Sequence, residues 1–469
     1  MHGVCVDWRS LKSFVVALYL VLALSCSLAF AQDDAAPAAI ETAGPEHHCD
    51  MQAASSLDRT RPQGILGVDA DKIDARLAIP ACRTALSRHP DDPRFAFQLA
   101  RALYRTGSRA SYADALRLFR QAAEGGNVTA MNNLGVMYGF GDGVNIDKNE
   151  ALKWLGKAAD AGLAASMRNI ADMYAIGSGV AKDDTTAVHW YRKSADGGDA
   201  IARRSLAEFF EAGRGGLPKD EHLAAQFFKL AAEQGDEPAQ FQLARYYEAG
   251  RGGLPKSDQD ALRFYKLAAD QDDANAQNNL GLMYSAGRGG LTKDDEQAAK
   301  LYKRAADQRN PEAENNLGVL YEAGRGGLPK DDVEAARLYK LAADQGNVRA
   351  RSSLAHFYEQ GRGGLEQNDQ VAARLYKLAA DQEDARAENN LGIMYATGRG
   401  GLARDDRETV RLYKLAADQG SVEAQYNLAV CYLVGRGVSK DAAEARRWFR
   451  KAADSGYEEA KEQLEKLGP

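Results

Sequence analysis

The chain has 469 residues, 45% of them apolar, 27% charged and 8% aromatic, with a formal net charge of -6. That is the length of about three ordinary domains, with enough apolar residues for a core. Acids and bases alternate throughout, so the basic patch or stripe of a nucleic-acid binder is missing, and protein or small polar partners are favoured.

In chain order, the first feature is an apolar run from Phe14 to Phe30, preceded by Arg9 and Lys12 and closed by Ala29-Phe30-Ala31. These are the three parts of a secretory signal peptide, which predicts residues 1–31 to be removed and the product to be periplasmic or secreted. If the run stayed uncleaved it would act as a membrane anchor, near the lower length limit for spanning. A lipoprotein reading through Cys26 is disfavoured, because Ala23-Leu24-Ser25 lacks the usual leucine three residues before the cysteine. Residues 32–67, rich in Ala, Asp and Pro, lack periodicity and read as a mobile leader. Cys49 and Cys82 both precede the repeats in a chain that reads as exported. Oxidising compartments allow such a pair to bridge, worth ~3 kcal/mol for a loop of this size. The other reading makes His47, His48 and Cys49 metal ligands, a weak signal without a second cluster. Cys431 falls on an apolar helix face and reads as a core thiol.

From Asp91 onward the chain counts out in units: 91–126, 127–162, 163–198, 199–235, 236–272, 273–309, 310–346, 347–383, 384–420 and 421–456, then a closing helix over 457–467. Gly-Arg-Gly-Gly-Leu recurs at Gly213, Gly250, Gly287, Gly324, Gly361 and Gly398. Such a period is the mark of a stacked-repeat solenoid. In 310–346, Asn310 and Pro311 start a helix, and Ala313, Leu317, Leu320 and Tyr321 give it an apolar stripe. Gly324 stops it. Asp331 with Glu334 predicts a capping box for a second helix, a pattern repeated at Asp405/Glu408, Asp441/Glu444 and Asp294/Gln297. Ala335, Leu338, Tyr339, Ala342 and Ala343 form the second stripe, and Gly346 ends it. Gly281, Gly318 and Gly392 beside the anchoring leucines are predicted to let helices approach closely.

The glycine tract is no phosphate loop, since its glycines follow a helix at its negative end. Its arginines, from Arg214 to Arg399, with Arg436 beyond, either compensate terminal carbonyls or form a basic rail. The sequence offers neither a His-Glu-x-x-His helix nor a Gly-x-Ser-x-Gly elbow. His189, His222 and His356 stand in different units, and Asp294-Asp295 and Asp331-Asp332 read as helix starts. No catalytic residue, cofactor or metal is expected.

The pattern Ala-x3-Leu-Gly-x2-Tyr, Gly-x-Gly, Asp, Ala-x3-Tyr-x2-Ala-Ala-x2-Gly resembles the Sel-one-like repeat family, relatives of tetratricopeptide repeats with a longer loop between the helices. The resemblance covers nearly all of 127–467. Unit 91–126, with its shorter loop from Gly107 to Ser111, looks more tetratricopeptide-like. It implies an all-α, right-handed superhelical solenoid: a helical cap over 68–126, nine Sel-one-like repeats over 127–456 and a capping helix over 457–469. It also implies a non-catalytic scaffold for protein partners in the bacterial envelope, in assembly or in restraint of a sensor kinase. Weak hydrolysis of peptidoglycan or β-lactam-like amides is the alternative, undermined by the absence of a regular disulfide per repeat. In tetratricopeptide relatives the first helix lines a concave groove, at positions near the anchoring leucine. Carried onto this chain, Arg204, Glu208, Phe241, Arg245, Asn278, Asn315, His356, Asn389 and Tyr426 become the candidate partner-binding residues. The asparagines read either as hydrogen-bonders for an extended peptide or as residues tolerated in a short helix's first turn.

Overall fold

The computed structural model describes residues 44–467, so the signal segment and the first part of the leader lie outside the described residues. Within them every regular element is a helix, and none is long and apolar enough to cross a membrane. The chain divides into two compact units after Ile146.

In the first unit the leader reading needs correction from Gly44 onward. Pro45–Ala53 is a helix with Cys49, Asp50 and Ala53 buried, and Cys49 is joined to Cys82 by a disulfide. A bridged sulfur has no thiolate to offer a cation, so the metal reading of Cys49 falls. Polar groups hold the rest of this segment down, which is why hydrophobic periodicity missed it. The Arg101 guanidinium donates to the carbonyls of Ala53 at 2.7 Å and Val68 at 2.6 Å. Burial lowers that guanidinium to about 10. Gln98 Nε2 donates to Asp50 at 2.8 Å, and Asn127 Nδ2 donates to Asp58 at 3.2 Å. Phe95, Phe97, Leu118 and Phe119, from Pro93–Arg105 and Arg109–Glu124, form the core beneath.

The second unit opens with Lys148–Asp160 and continues as eight helix pairs, from Ala164–Ile176 with Asp184–Asp196 to Val422–Val434 with Ala442–Asp454. Glu458–Leu467 closes the series. Isolated helices of this length are marginal in water, so stacking carries the stability. In Pro311–Ala323 the Asn310 side chain accepts from Ala313 N at 2.9 Å, and Gly324 ends the helix at φ 63°. Leu317, Tyr339 and Ala342 lie in the core, and Gly318 leaves room for the Tyr339 ring, which a Cβ would meet at 2.9 Å.

The capping boxes are only half made. Asp331 accepts from Val333 N and Glu334 N, both at 3.0 Å. Its own N–H is already committed to Tyr321 O at 3.0 Å, across the loop, and Glu334 turns to Arg337 instead. The same holds where Asp405 N donates to Tyr395 O and Asp441 N to Tyr432 O. The loop that joins the two helices takes the donor the box would need.

The glycine tract joins repeats rather than only ending helices. Its middle glycine sits at φ 61° to 69° in all six copies. At Gly363 a Cβ would lie 2.4 Å from Asp332 O, on the second helix of the preceding repeat. The neighbouring arginine reaches the same residue: Arg362 Nε and Nη2 grip Asp332 at 3.1 and 2.9 Å. Arg214–Asp184, Arg251–Glu221, Arg288–Asp258, Arg325–Asp295 and Arg399–Asp369 repeat the contact. Both sequence readings of these side chains are therefore corrected. The terminal carbonyl of the first helix is satisfied by the arginine's backbone N–H, as from Arg325 N to Leu320 O at 3.0 Å. The guanidinium is spent on the preceding repeat, which leaves no basic rail.

Candidate functional site: the face of the first helices

Each first helix carries the anchoring leucine in the core and shows other side chains around it. The structure sorts the nine candidate residues into different environments. Arg204 is half-buried and neutralised by the chain itself, donating to Asp236 at 2.9 Å and Glu208 at 3.1 Å. Glu208 is exposed. Phe241 packs partly into the core, 5.9 Å from the Tyr265 ring centroid. Arg245 is exposed, with its guanidinium 5.9 Å over Phe241 and donating to Gln242 at 3.2 Å. Tyr426 is drawn into the closing layer, its ring 5.4 Å from Phe449 and 5.2 Å from Tyr457.

The asparagines fit neither sequence reading. Asn278, Asn315 and Asn389 are 5%, 5% and 7% exposed, too covered to reach a peptide backbone freely. Asn278 and Asn389 accept hydrogen bonds from the next first helix, whereas Asn315 donates only to Asn316 on its own helix, at 3.4 Å. Asn278 donates to Asn279 at 3.2 Å, and Asn316 in the next repeat donates back to Asn278 Oδ1 at 2.9 Å. Asn427 donates to Asn389 Oδ1 at 2.9 Å in the same register. A buried carboxamide needs such partners, so Asn278 and Asn389 act in stacking. The signal was present in the sequence as doubled asparagines one repeat apart, but tetratricopeptide register alone assigned them to the groove.

The row two residues after the anchoring leucine (Ile170 in one copy) is exposed at Glu208, Arg245, Leu282 and Val319 and half-buried at its other positions. In the second unit it runs Asp172, Glu208, Arg245, then Leu282, Val319, His356, Ile393 and Val430. Leu282 and Val319 are 40% and 42% exposed. The row begins at Val136 in the first unit, and within the second unit it passes from charged to aliphatic along the chain. His356 interrupts the aliphatic part and lines a cavity of about 440 Å³ with Arg386, Asn389, Asn390, Ser421 and Glu423. Of the nine candidates, only His356 and Asn389 meet there. Arg386 was not among them, because its position lies outside the tetratricopeptide contact register.

The remaining titratable groups read as structural. The buried thiol of Cys431 is pushed up to about 11 by burial, which makes it unreactive. His222 sits 3.2 Å from Gly252 O and 2.9 Å from Gln226, and the His189 and Trp190 rings meet edge-on. Among the described residues no group of three or more His, Cys, Asp or Glu could hold a metal ion.

One carboxyl is strongly perturbed. Burial first, then the Asp273 and Asp236 carboxylates, push Glu237 up to about 8 against a smaller opposing pull from Arg204. Its folded value lies above the ordinary carboxyl value, so the folded state favours the proton. The associated stability is complete below about pH 4 and is lost as pH rises through about 8. Glu237→Gln removes that loss. In melts from pH 5 to 9, the variant's advantage over the parent should grow up to about pH 8 and then level off; an advantage independent of pH would contradict it.

A model of the Sel1 repeat matches ten consecutive copies, beginning at 93–127 and ending at 422–457. The first copy, expected to be tetratricopeptide-like, is thus a Sel1 repeat with a shortened loop. No curated protein matches the chain. Among solved structures, it is similar to c5321, described as a protective antigen present in uropathogenic Escherichia coli strains and displaying an SLR fold. Identity is 32%, covering 82% of this chain and 81% of that one, with a TM-score of 0.67. A Sel1 repeat protein from Oxalobacter formigenes is 30% identical over 53% of this chain and 96% of its own, at a TM-score of 0.47. With paired helices stacked in this register and ten copies matched in sequence, the chain belongs to the Sel1 repeat family.

Proposed function

We propose that this protein is a non-catalytic scaffold that binds protein partners along the face of its first helices. The observation that carries the reading is the division of labour within each copy. Anchoring positions such as Leu243, Leu317 and Leu391 are alike and buried, whereas the exposed row beside them changes from Glu208 and Arg245 to Leu282 and Val319. A solenoid built to display a surface varies where it is exposed and repeats where it stacks. Aliphatic side chains left open beside charged ones suit a protein partner. The repeat histidines His189, His222 and His356 stand in different units, which supports a non-catalytic role. The N-terminal segment and the Cys49–Cys82 bridge support an exported location, periplasmic or secreted. The partner would then be an envelope component, such as an assembly factor or a membrane sensor.

A photo-crosslinking amino acid placed at Arg245 or Leu282 should capture a partner in the envelope fraction. The same probe at Leu341, an exposed position on a second helix, should capture little. Capture confined to Leu341 would refute the assignment of the face. An amide or β-lactam hydrolase activity abolished by one substitution would refute the non-catalytic reading.

A further inference from the structure

Four irregularities coincide in the repeats that contain Val348–Gln360 and Ala385–Thr397. The first is a break in the asparagine series. In Val348–Gln360 the doubled asparagine is replaced by Ser352 and Ser353. Residue 353 holds the register from which Asn316 and Asn427 donate to the preceding repeat, and serine is too short to make that reach. Asn315 Oδ1 is therefore buried without a hydrogen-bond partner, and so is Ser352 Oγ. Each such group costs about 1–3 kcal/mol, and a native structure that keeps two of them in adjacent helices has a local reason to do so.

The second irregularity is His356, the polar member of the otherwise aliphatic row Leu282, Val319, Ile393 and Val430. Its Nδ1 lies 3.8 Å from Glu359 Oε2, beyond hydrogen-bond length, and has no other partner. The third is the cavity of about 440 Å³ beside it. The fourth is Arg386 on the cavity wall, which is exposed and makes no ion pair. Arg168 and Arg204 on this face are answered by chain carboxylates, whereas Arg245 and Arg349 make no ion pair, like Arg386, but do not line this cavity.

We propose that this cavity recognises a carboxylate on an extended segment of the bound protein partner, with Arg386 as its counter-ion. This rests on the scaffold reading above and narrows it to one locus and one chemical group. A guanidinium free of internal carboxylates offers two parallel N–H donors to an incoming carboxylate. The Asn389 and Asn390 carboxamides and the His356 ring line the same space. Leu282 and Val319 on one side, and Ile393 and Val430 on the other, receive the aliphatic side chains that flank the acidic residue. Glu423 on the cavity wall opposes a second negative charge, so the site selects a single acid within an apolar stretch rather than a polyacidic tract.

The test uses the full mature chain and a phage-displayed library of randomised twelve-residue peptides. Selection on the parent protein should enrich sequences with one Asp or Glu between aliphatic residues. For such a peptide, replacing the acid by its amide should weaken binding at least tenfold, and R386Q should do the same. R349Q, which removes the equivalent exposed arginine one repeat earlier, should change affinity less than twofold. Peptides that compete with capture at Leu282 but show no acidic preference, or bind R386Q as well as the parent, would overturn the carboxylate site and leave the scaffold standing. If no peptide is selected by the parent, this site is refuted, while envelope capture at Leu282 decides the scaffold separately.

Discussion

Gly363→Ala should destabilise the second unit by about 2–4 kcal/mol, whereas Gly364→Ala, one residue on, should cost about 1 kcal/mol. Both glycines have left-handed backbone, at φ 65° and 73°, so both variants pay the strain of a Cβ in that region. They differ in what the new methyl meets. At Gly363 it would lie 2.4 Å from Asp332 O and 2.7 Å from Ala336 Cβ, whereas at Gly364 the nearest atom is Val333 Cγ2 at 3.9 Å. Relief of the first clash requires the tract to lift from the preceding repeat. That also loosens the Arg362 grip on Asp332 and on Glu322, at 2.9 and 3.1 Å. Since a solenoid's stability is a sum of repeat and interface terms, the urea transition of Gly363→Ala should broaden or split. Equal effects from the two substitutions would show that the middle glycine serves the turn alone.

Replacing Cys49 and Cys82 together by serine should lower the stability of the first unit by about 3–4 kcal/mol and leave the second unit's melting unchanged. The bridge closes a loop with a sequence separation of 33, and removing it returns that loop's freedom to the unfolded chain. The segment it holds buries little hydrocarbon. Pro45–Ala53 depends on the Arg101 and Gln98 hydrogen bonds, which a freed segment exchanges for water at small net cost. Calorimetry with and without reductant, together with limited proteolysis, would measure this. Reductant should expose sites between 54 and 74 first; a uniform shift of every transition would contradict the assignment.

The parts of this fold legible in sequence are those with a local cause. The leucine and tyrosine stripes, the aspartate starts and the glycine stops each declare a helix through residues within one or two turns. The missed parts depend on residues from ten to about forty positions away. Asp331 and Glu334 look like a complete capping box until Tyr321 O claims the amide. The tract arginines look like free cations until the preceding repeat presents Asp184 to Asp369. Asn278 and Asn389 look like groove residues until Asn316 and Asn427 are found to bond to them across helices. In each case a polar group has several possible partners, and only stacking selects one. Arg386 was overlooked for a different reason: its proposed role comes from the cavity it lines, and a cavity has no sequence pattern.

By itself the sequence determined the class of object, a series of short helix pairs at a fixed period, because periodicity and capping are local and repeat ten times over. Tertiary structure decided what holds neighbouring copies together and which surface stays open. The glycine tract, conspicuous in sequence as a helix stop, proved to be the joint through which each repeat grips the one before it. That assignment needed geometry: a missing Cβ matters only where another backbone comes within 2.4 Å, and a guanidinium acquires a role only when a carboxylate is brought to it.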